Sequence, residues 1–398
     1  VAAMAVDGTS GTLLLCDPGG KLPGGRMDRA LPYHLACPEQ MAEALRVLGD
    51  DSRVEAPTAQ SPAAPLKTPA AQVPAASSSG SLVRALRLLA AAESAAIREP
   101  LLLRHQADWM TGWLLGDWRW GEEGNNLRLG WDAARGCWLG DIAGQPWHSA
   151  LPEIRPSGSV LGTLSAQAAH TLGLPPETVV VAGSTDANAA VLAADPGIGE
   201  GVTVLGTTLV LKQFVTAPLN GPGISSHRTG GRWLLGGASN AGAGVLRQFF
   251  SDDQIVELSR QIDPDRPTGL DLYPLPRPGE RFPVDNPDLE PKLTPRPISD
   301  ARYLQALLEG LTAIEKRGWQ RLREMGAPPL RRVITLGGGA RNPQWRQLRE
   351  MALGIPVLNR PTLSAAMGMA RLASQSLPRD HEADPPGSRM GRSSPASP

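Results

Sequence analysis

Residues 177–194, "ETVVVAGSTDANAAVLAA", decide how the chain is read. Val179, Val180 and Val181 form a short apolar run of the kind a buried strand uses. Gly183, Ser184 and Thr185 supply a turn, and Asp186 opens a helix of small residues. An Asp in that position can cap the helix by accepting its free N–H groups. In a cleft it can instead take the proton from a hydroxyl that attacks a phosphoryl group. The stretch by itself leaves both open.

Three further segments of the second half repeat the pattern of strand, glycine turn and strand or helix. They are "GVTVLGTTLVLKQF" (201–214), "WLLGGASNAGAGVLRQFF" (233–250) and "RRVITLGGGARNPQWRQLREMALG" (331–354). A short strand, "IPVLN", and a last helix, "LSAAMGMARLAS", follow. Between the glycine turns, residues 301–326 carry Leu304, Leu307, Leu308, Leu311 and Ile314 at helical spacing. The alternation predicts an α/β architecture with its site at the carboxyl ends of the strands. At the other end, "AAMAVDGTSGTLLLCD" (2–17) reads as strand, turn and strand. Residues 81–97 read as a helix with Ser81 as N-cap. Residues 56–80, almost all Ala, Pro, Ser, Thr and Gln, predict a disordered insertion. The Pro-rich stretch 263–297 is expected to be extended or looped, and the Pro/Ser/Arg-rich end, 375–398, to be a disordered tail.

Composition excludes several classes. Lys+Arg and Asp+Glu are both 39 in 398 residues, so the formal net charge is +0, which argues against a general polyanion binder. The length allows two domains. No run approaches the roughly 18 apolar residues of a membrane span. The 3 Cys, Cys16, Cys37 and Cys137, form no C-x-x-C pair, and a reducing compartment, cytoplasm or plastid, is expected. No Walker A pattern occurs and no G-x-G-x-x-G follows a strand, so P-loop and Rossmann sites lack support. The separate glycine turns suit a nucleotide cleft, because glycine lets backbone N–H groups approach phosphate oxygens.

Taken in order, "DGTSGTLLLCD", "QADWMTGWLLGD", "VVVAGSTDANAA", "VTVLGTTLVLK", "GGASNAGAGVLRQFF", "GLDLYPLPRPGERFP", "LLEGLTAIEKRGWQRLREMGA" and "TLGGGARNPQWRQLR" resemble the FGGY carbohydrate kinases of the actin/hexokinase/Hsp70-like superfamily. The likeness covers residues 4 to about 372 and is greatest to the short pentulose kinase-like members of cyanobacteria and plants. It implies two ribonuclease H-like α/β domains around a cleft: residues 1–194 on the sugar side and 195–374 on the nucleotide side. Asp186 matches the family's general base. Ser10, with Asp7, matches the stretch that borders the sugar. Gly206, Thr207 and Thr208 match a phosphate turn, and Gly337, Gly338, Gly339 and Asn342 the adenosine turn. Ser364 stands where many members carry Glu. The implied partners are a small sugar, ATP and Mg²⁺, with no residue assigned as a metal ligand and neither nucleic acid nor membrane implied. The implied reaction is phosphorylation of a ketopentose such as D-ribulose, with D-xylulose or another polyol as the alternative. "VDGTSGT" resembles the second of two such stretches in family members. The first domain is therefore expected to lack its first strands, and a catalytically inactive sugar- or nucleotide-binding remnant is the competing expectation. Trp109 and Asn126 are candidates for sugar contact or, more simply, for core packing.

Overall fold

The computed structural model describes residues 1–54, 71–219 and 221–377. The central strand of the first sheet is Val179–Thr185. It pairs in parallel with Ala3–Gly8 and antiparallel with Val160–Thr163. Six of its seven residues are buried, as expected for a strand covered on both faces. One face packs on the helices Gln106–Leu115 and Ala166–Leu172 through Leu114, Ala168 and Val180. The pairing with Ala3–Gly8 slips between Ala5 and Asp7, and Asp7 comes opposite Ser184. Gly183 permits this slip, because a Cβ there would lie 1.7 Å from the Val6 carbonyl oxygen.

The chain then runs through the helix Asp186–Ala194 into a six-stranded sheet. Its order is Ile224–Thr229, Arg232–Ser239, Leu209–Val215, Glu200–Leu205, Arg332–Leu336 and Val357–Asn359. The first three pairings are antiparallel and the last two parallel. One face is covered by the helix Asp300–Glu324, whose Leu304, Leu307, Leu308, Leu311 and Ile314 are buried in the largest core, the face predicted from their spacing. Beside that core lies a buried ion pair. Arg349 donates to both oxygens of Glu315 at 2.6 and 2.7 Å and to the Thr335 hydroxyl at 2.6 Å, while Thr203 Oγ1 donates to Glu315 Oε1 at 2.6 Å. Every polar atom of the pair that the low dielectric would penalise thus has a partner, and two helices are tied to two strands. The opposite face of the sheet meets Val191 of the helix Asp186–Ala194.

Several expectations need correction. Of the stretch 56–80, residues 56–70 lie outside the described ones, but Ala75 and Ala76 are fully buried in the first half's own core. The insertion therefore ends before residue 73. Ser81 is not a cap: Gly80 holds that position, and Ser81 Oγ lies 3.0 Å from His105 Nε2 in the interior. The helix Ala365–Gln375, placed by sequence with the second domain, packs across onto Asp186–Ala194 and Ala5. Gly368 lets the two helices touch, since a Cβ there would sit 1.8 Å from the Ala189 carbonyl oxygen. Ser364 is that helix's N-cap, accepting from the Met367 N–H, which gives the serine a structural reason. Stretch 263–297 forms only isolated bridges, Tyr273 with Lys292 and Glu280 with Asn286, as its prolines require. Of the expected tail, Gln375 closes the last helix and residues 378–398 lie outside the described ones.

The two halves also meet at Glu123, which is 3 % exposed and leaves Oε1 without a partner among the described residues. Burial pushes its carboxyl up to about 7, against the opposing pull of Arg228. The folded value lies above the unfolded 4.5, so the folded state holds the proton more tightly. Stability from this group is complete at acid pH and is lost as pH rises from about 4.5 to about 7. Glu123→Gln should therefore stabilise the protein at pH 8 by on the order of 1–3 kcal/mol and have little effect at pH 4. Urea unfolding at the two pH values checks this; equal effects at both would contradict it.

Candidate functional site

Asp186 is the first residue inside its helix. The N-cap is Thr185, which makes no side-chain cap bond, and Asp186 Oδ1 accepts from the Ala187 N–H at 2.7 Å. Its side chain opens into the space between the two sheets. The neighbouring walls still strip enough water to push its carboxyl above the ordinary range, while the Ala187 N–H pulls it back. Asp7, half-buried on the neighbouring strand, is raised by burial and then by the charge of Asp186. Two adjacent parallel strands thus deliver two carboxylates that feel each other. Among the described residues no group of three or more His, Cys, Asp and Glu side chains could hold a metal ion.

Asp186 and Ser10 line one cavity of about 730 Å³. The first half contributes Arg128, Trp131, Thr185 and Asn188 to its walls, and the second half Lys212, Ser225, His227, Trp233 and Arg281. Asp7 stands behind Asp186 and does not line it. Trp109 and Asn126 are structural. Trp109 Nε1 donates to the Gly20 carbonyl, and fully buried Asn126 donates to Asp108 Oδ2 and the Glu122 carbonyl. The core-packing alternative therefore accounts for both.

A second cavity, of about 490 Å³, lies beyond the hairpin joining Glu200–Leu205 and Leu209–Val215. Gly206 and Thr207 line it together with Gly338, Gly339 and Asn342, so two turns 130 residues apart in the chain converge. Thr208 and Gly337 do not line it. The Thr208 carbonyl closes the hairpin by accepting the Gly206 N–H, and Gly337, at φ 84, rests on the Leu205 carbonyl oxygen. The turn after Arg232–Ser239 buttresses the hairpin, with Ala243 N–H donating to Gly206 and Gly244 N–H to Thr207. Asn342 caps the helix Pro343–Leu353 and donates to Ser259 Oγ at 2.8 Å, bringing in a wall from the helix Asp252–Ser259. That wall, with Val256 and Arg260, has no distinctive pattern in the sequence. Lys212, His227 and Arg281 were also missed, although a lysine within the apolar strand "VTVLGTTLVLK" was a visible irregularity.

Residues 201–377 match the family model for the FGGY family of carbohydrate kinases, C-terminal domain. Among curated proteins the chain is similar to the xylulose kinase of Klebsiella pneumoniae, with 27 % identity over 281 residues, 64 % of this chain and 57 % of that one. It is similar to the L-fuculokinase of Escherichia coli K12, with 27 % identity over 52 % of this chain and 45 % of that one. The gluconokinase of Bacillus subtilis shares 26 % identity over 50 % and 43 %. The chain thus spans about half the length of the curated relatives it matches. Among solved structures it superposes on the xylulose kinase of Lactobacillus acidophilus with a TM-score of 0.72 at 14 % identity, covering 94 % of this chain and 76 % of that one. The glycerol kinase of Plasmodium falciparum with ADP gives 0.72 at 15 %, covering 94 % and 75 %. The chain therefore shares the α/β fold of these sugar kinase structures.

The glycine turn gives a sharp test of the second cavity. A Cβ on Gly338 would meet nothing within 4 Å, whereas one on Gly339 would lie 2.6 Å from Leu205 Cβ and 2.7 Å from Trp345 Cζ3. If the second cavity holds ATP, Gly338→Val should lower ATP affinity by about tenfold or more (about 1.4 kcal/mol) and barely move the melting temperature. Gly339→Val should weaken the fold itself by about 1–3 kcal/mol. Calorimetric titration beside thermal melting checks both; unchanged ATP affinity in Gly338→Val would remove this turn from a nucleotide site.

Proposed function

We propose that this chain, whose second half matches an FGGY-type C-terminal domain, is an ATP-dependent carbohydrate kinase that phosphorylates a small polyol. A ketopentose such as D-ribulose is the proposed acceptor. The single observation that carries the reading is the placement of Asp186 on the wall of one cavity with Ser10, while the two glycine turns meet in the next cavity across a shared hairpin. ATP would lie against Gly206, Thr207, Gly338, Gly339 and Asn342, its phosphates directed toward Asp186. The Gly206 N–H is held by the Thr208 carbonyl, so the groups left to approach phosphate oxygens would be the Thr207 hydroxyl and the backbone N–H groups of Thr207, Gly338 and Gly339. Mg²⁺ would arrive on those phosphates and neutralise charge there.

In the transfer, the acceptor hydroxyl gives its proton to the Asp186 carboxylate. The freed oxygen forms a bond to the γ-phosphorus while the bond from that phosphorus to the bridging oxygen breaks, and ADP leaves with the bond's electrons. Raised proton affinity makes Asp186 a better base than a fully solvated carboxylate, and the Ala187 N–H fixes the orientation of its other oxygen. Ser10 would hold an acceptor hydroxyl, so that most of the rate comes from positioning. Approach of the two halves would exclude water and protect ATP from hydrolysis. The comparisons name xylulose kinase, L-fuculokinase and gluconokinase at similar identities, so the choice of D-ribulose rests on the sequence resemblance described above.

Asp186→Asn keeps the shape and loses the base. ADP release dependent on acceptor should fall by about 10²–10⁴-fold while the ATP dissociation constant stays within about threefold. A loss below about tenfold would leave Asp186 as a structural residue of the helix start.

A further inference from the structure

The first cavity holds a charge that the reading above does not use. Lys212 lies in the strand Leu209–Val215, is 7 % exposed, and has neither a hydrogen-bond nor an ion-pair partner among the described residues. It lines the same cavity as Ser10 and Asp186. Its place is built: a Cβ on Gly236, its neighbour across the strand pair, would lie 2.5 Å from Lys212 Cδ, so glycine makes room for the lysine stem. His227 borders it from the next strand but one. Its Nδ1 is buried without a partner, while Nε2 lies 3.3 Å from Ser225 Oγ. Asn188 Nδ2, on the opposite wall, is likewise buried and unpartnered. Lys212, His227 and Asn188 all line one cavity, and the last two each hold a buried nitrogen without a partner.

An ammonium buried without a counter-charge is costly and persists where something else makes use of it. Burial pushes Lys212 down to about 8, and its charge in turn helps keep His227 well below the ordinary histidine range. The protonated lysine beside a neutral imidazole has the chemistry of a site for an oxyanion. Arg281 and Arg128, lining the same cavity from opposite halves, repel each other and add to the positive field.

We propose that Lys212, with His227 and Asn188, forms an oxyanion subsite in the cavity that holds Ser10 and Asp186, taking a carboxylate or phosphate group on a small carbohydrate. This rests on reading that cavity as the carbohydrate site. The oxyanion has two sources: an acid group the acceptor already carries, or the phosphoryl group once it is attached.

The test is equilibrium calorimetry without nucleotide, so it stands apart from turnover. The probes are D-ribulose, a D-ribulose phosphate, D-gluconate and inorganic phosphate, with the full chain and with Lys212→Met and Lys212→Arg. At least one anionic carbohydrate should bind about tenfold or more tighter than neutral D-ribulose. Lys212→Met should abolish that advantage and Lys212→Arg keep most of it. Preference for gluconate identifies an acidic acceptor; preference for the ribulose phosphate alone identifies the transferred group. Lys212→Met should also melt at or above the parent temperature, because it removes an unpaired buried charge. The proposal is overturned if no anion outbinds D-ribulose, if the advantage survives in Lys212→Met, or if that variant melts lower and loses every ligand alike. Anion binding through Lys212 in a protein that transfers no phosphate would leave this subsite standing and remove the kinase reading.

Discussion

The helix Asp186–Ala194 is the constraint from which the rest of the molecule is organised. It is nine residues long, yet both sheets depend on it. Val191 enters the core of the second sheet, while Ala189 and Leu192 pack with Met369 and Leu372 of the last helix over the first sheet. Its small side chains allow this double contact, and Gly368 brings the last helix onto its backbone. A bulky residue on either side would force the sheets apart. The same packing fixes Asp186 at the helix start, on the wall between the two halves. The carboxylate is aimed by the element that packs against both sheets, so any relative movement of the sheets would carry it with respect to the second sheet's turns.

How much of this was legible in the sequence follows from the kind of physics each feature uses. Strands ending in glycine turns, and the helix 300–324 with its leucine face, declare themselves by local periodicity. The convergence of Gly206 and Thr207 with Gly338, Gly339 and Asn342 was legible only through resemblance, because nothing local relates turns so far apart. Within each turn, sequence could not separate Gly338, which faces open space, from Gly339, which is wedged against Leu205 and Trp345. Composition misled at residues 73–80, where Ala75 and Ala76 are buried in the core instead of looping out. Alanine serves both roles, and only the neighbouring Leu82 and Val83 decide between them.

The two cavities contrast in how they reach a ligand. The second is lined by its glycine turns together with larger side chains such as Arg247, Arg260 and Trp345, and Asn342 there is satisfied by the Trp345 N–H and Ser259. In the interior beneath the same sheet, each charge of the Glu315–Arg349 pair is fully partnered. The first cavity has the opposite character. Asp186, Lys212, His227 and Asn188 are there with hydrogen-bonding capacity left over, which lowers stability and is useful only when a polar molecule fills the space. Stable polar networks and unspent polar groups thus mark scaffold and site respectively within one chain.

The central claim is that the two cavities act together in moving a phosphoryl group from ATP to a carbohydrate hydroxyl. Phosphorus-31 NMR of the protein incubated with Mg–ATP and D-ribulose reads this directly. The account predicts a new phosphomonoester resonance that grows with the ADP signals, requires both substrates, and is absent from the Asp186→Asn variant. ADP accompanied only by inorganic phosphate, at the same rate with and without the sugar, would contradict it.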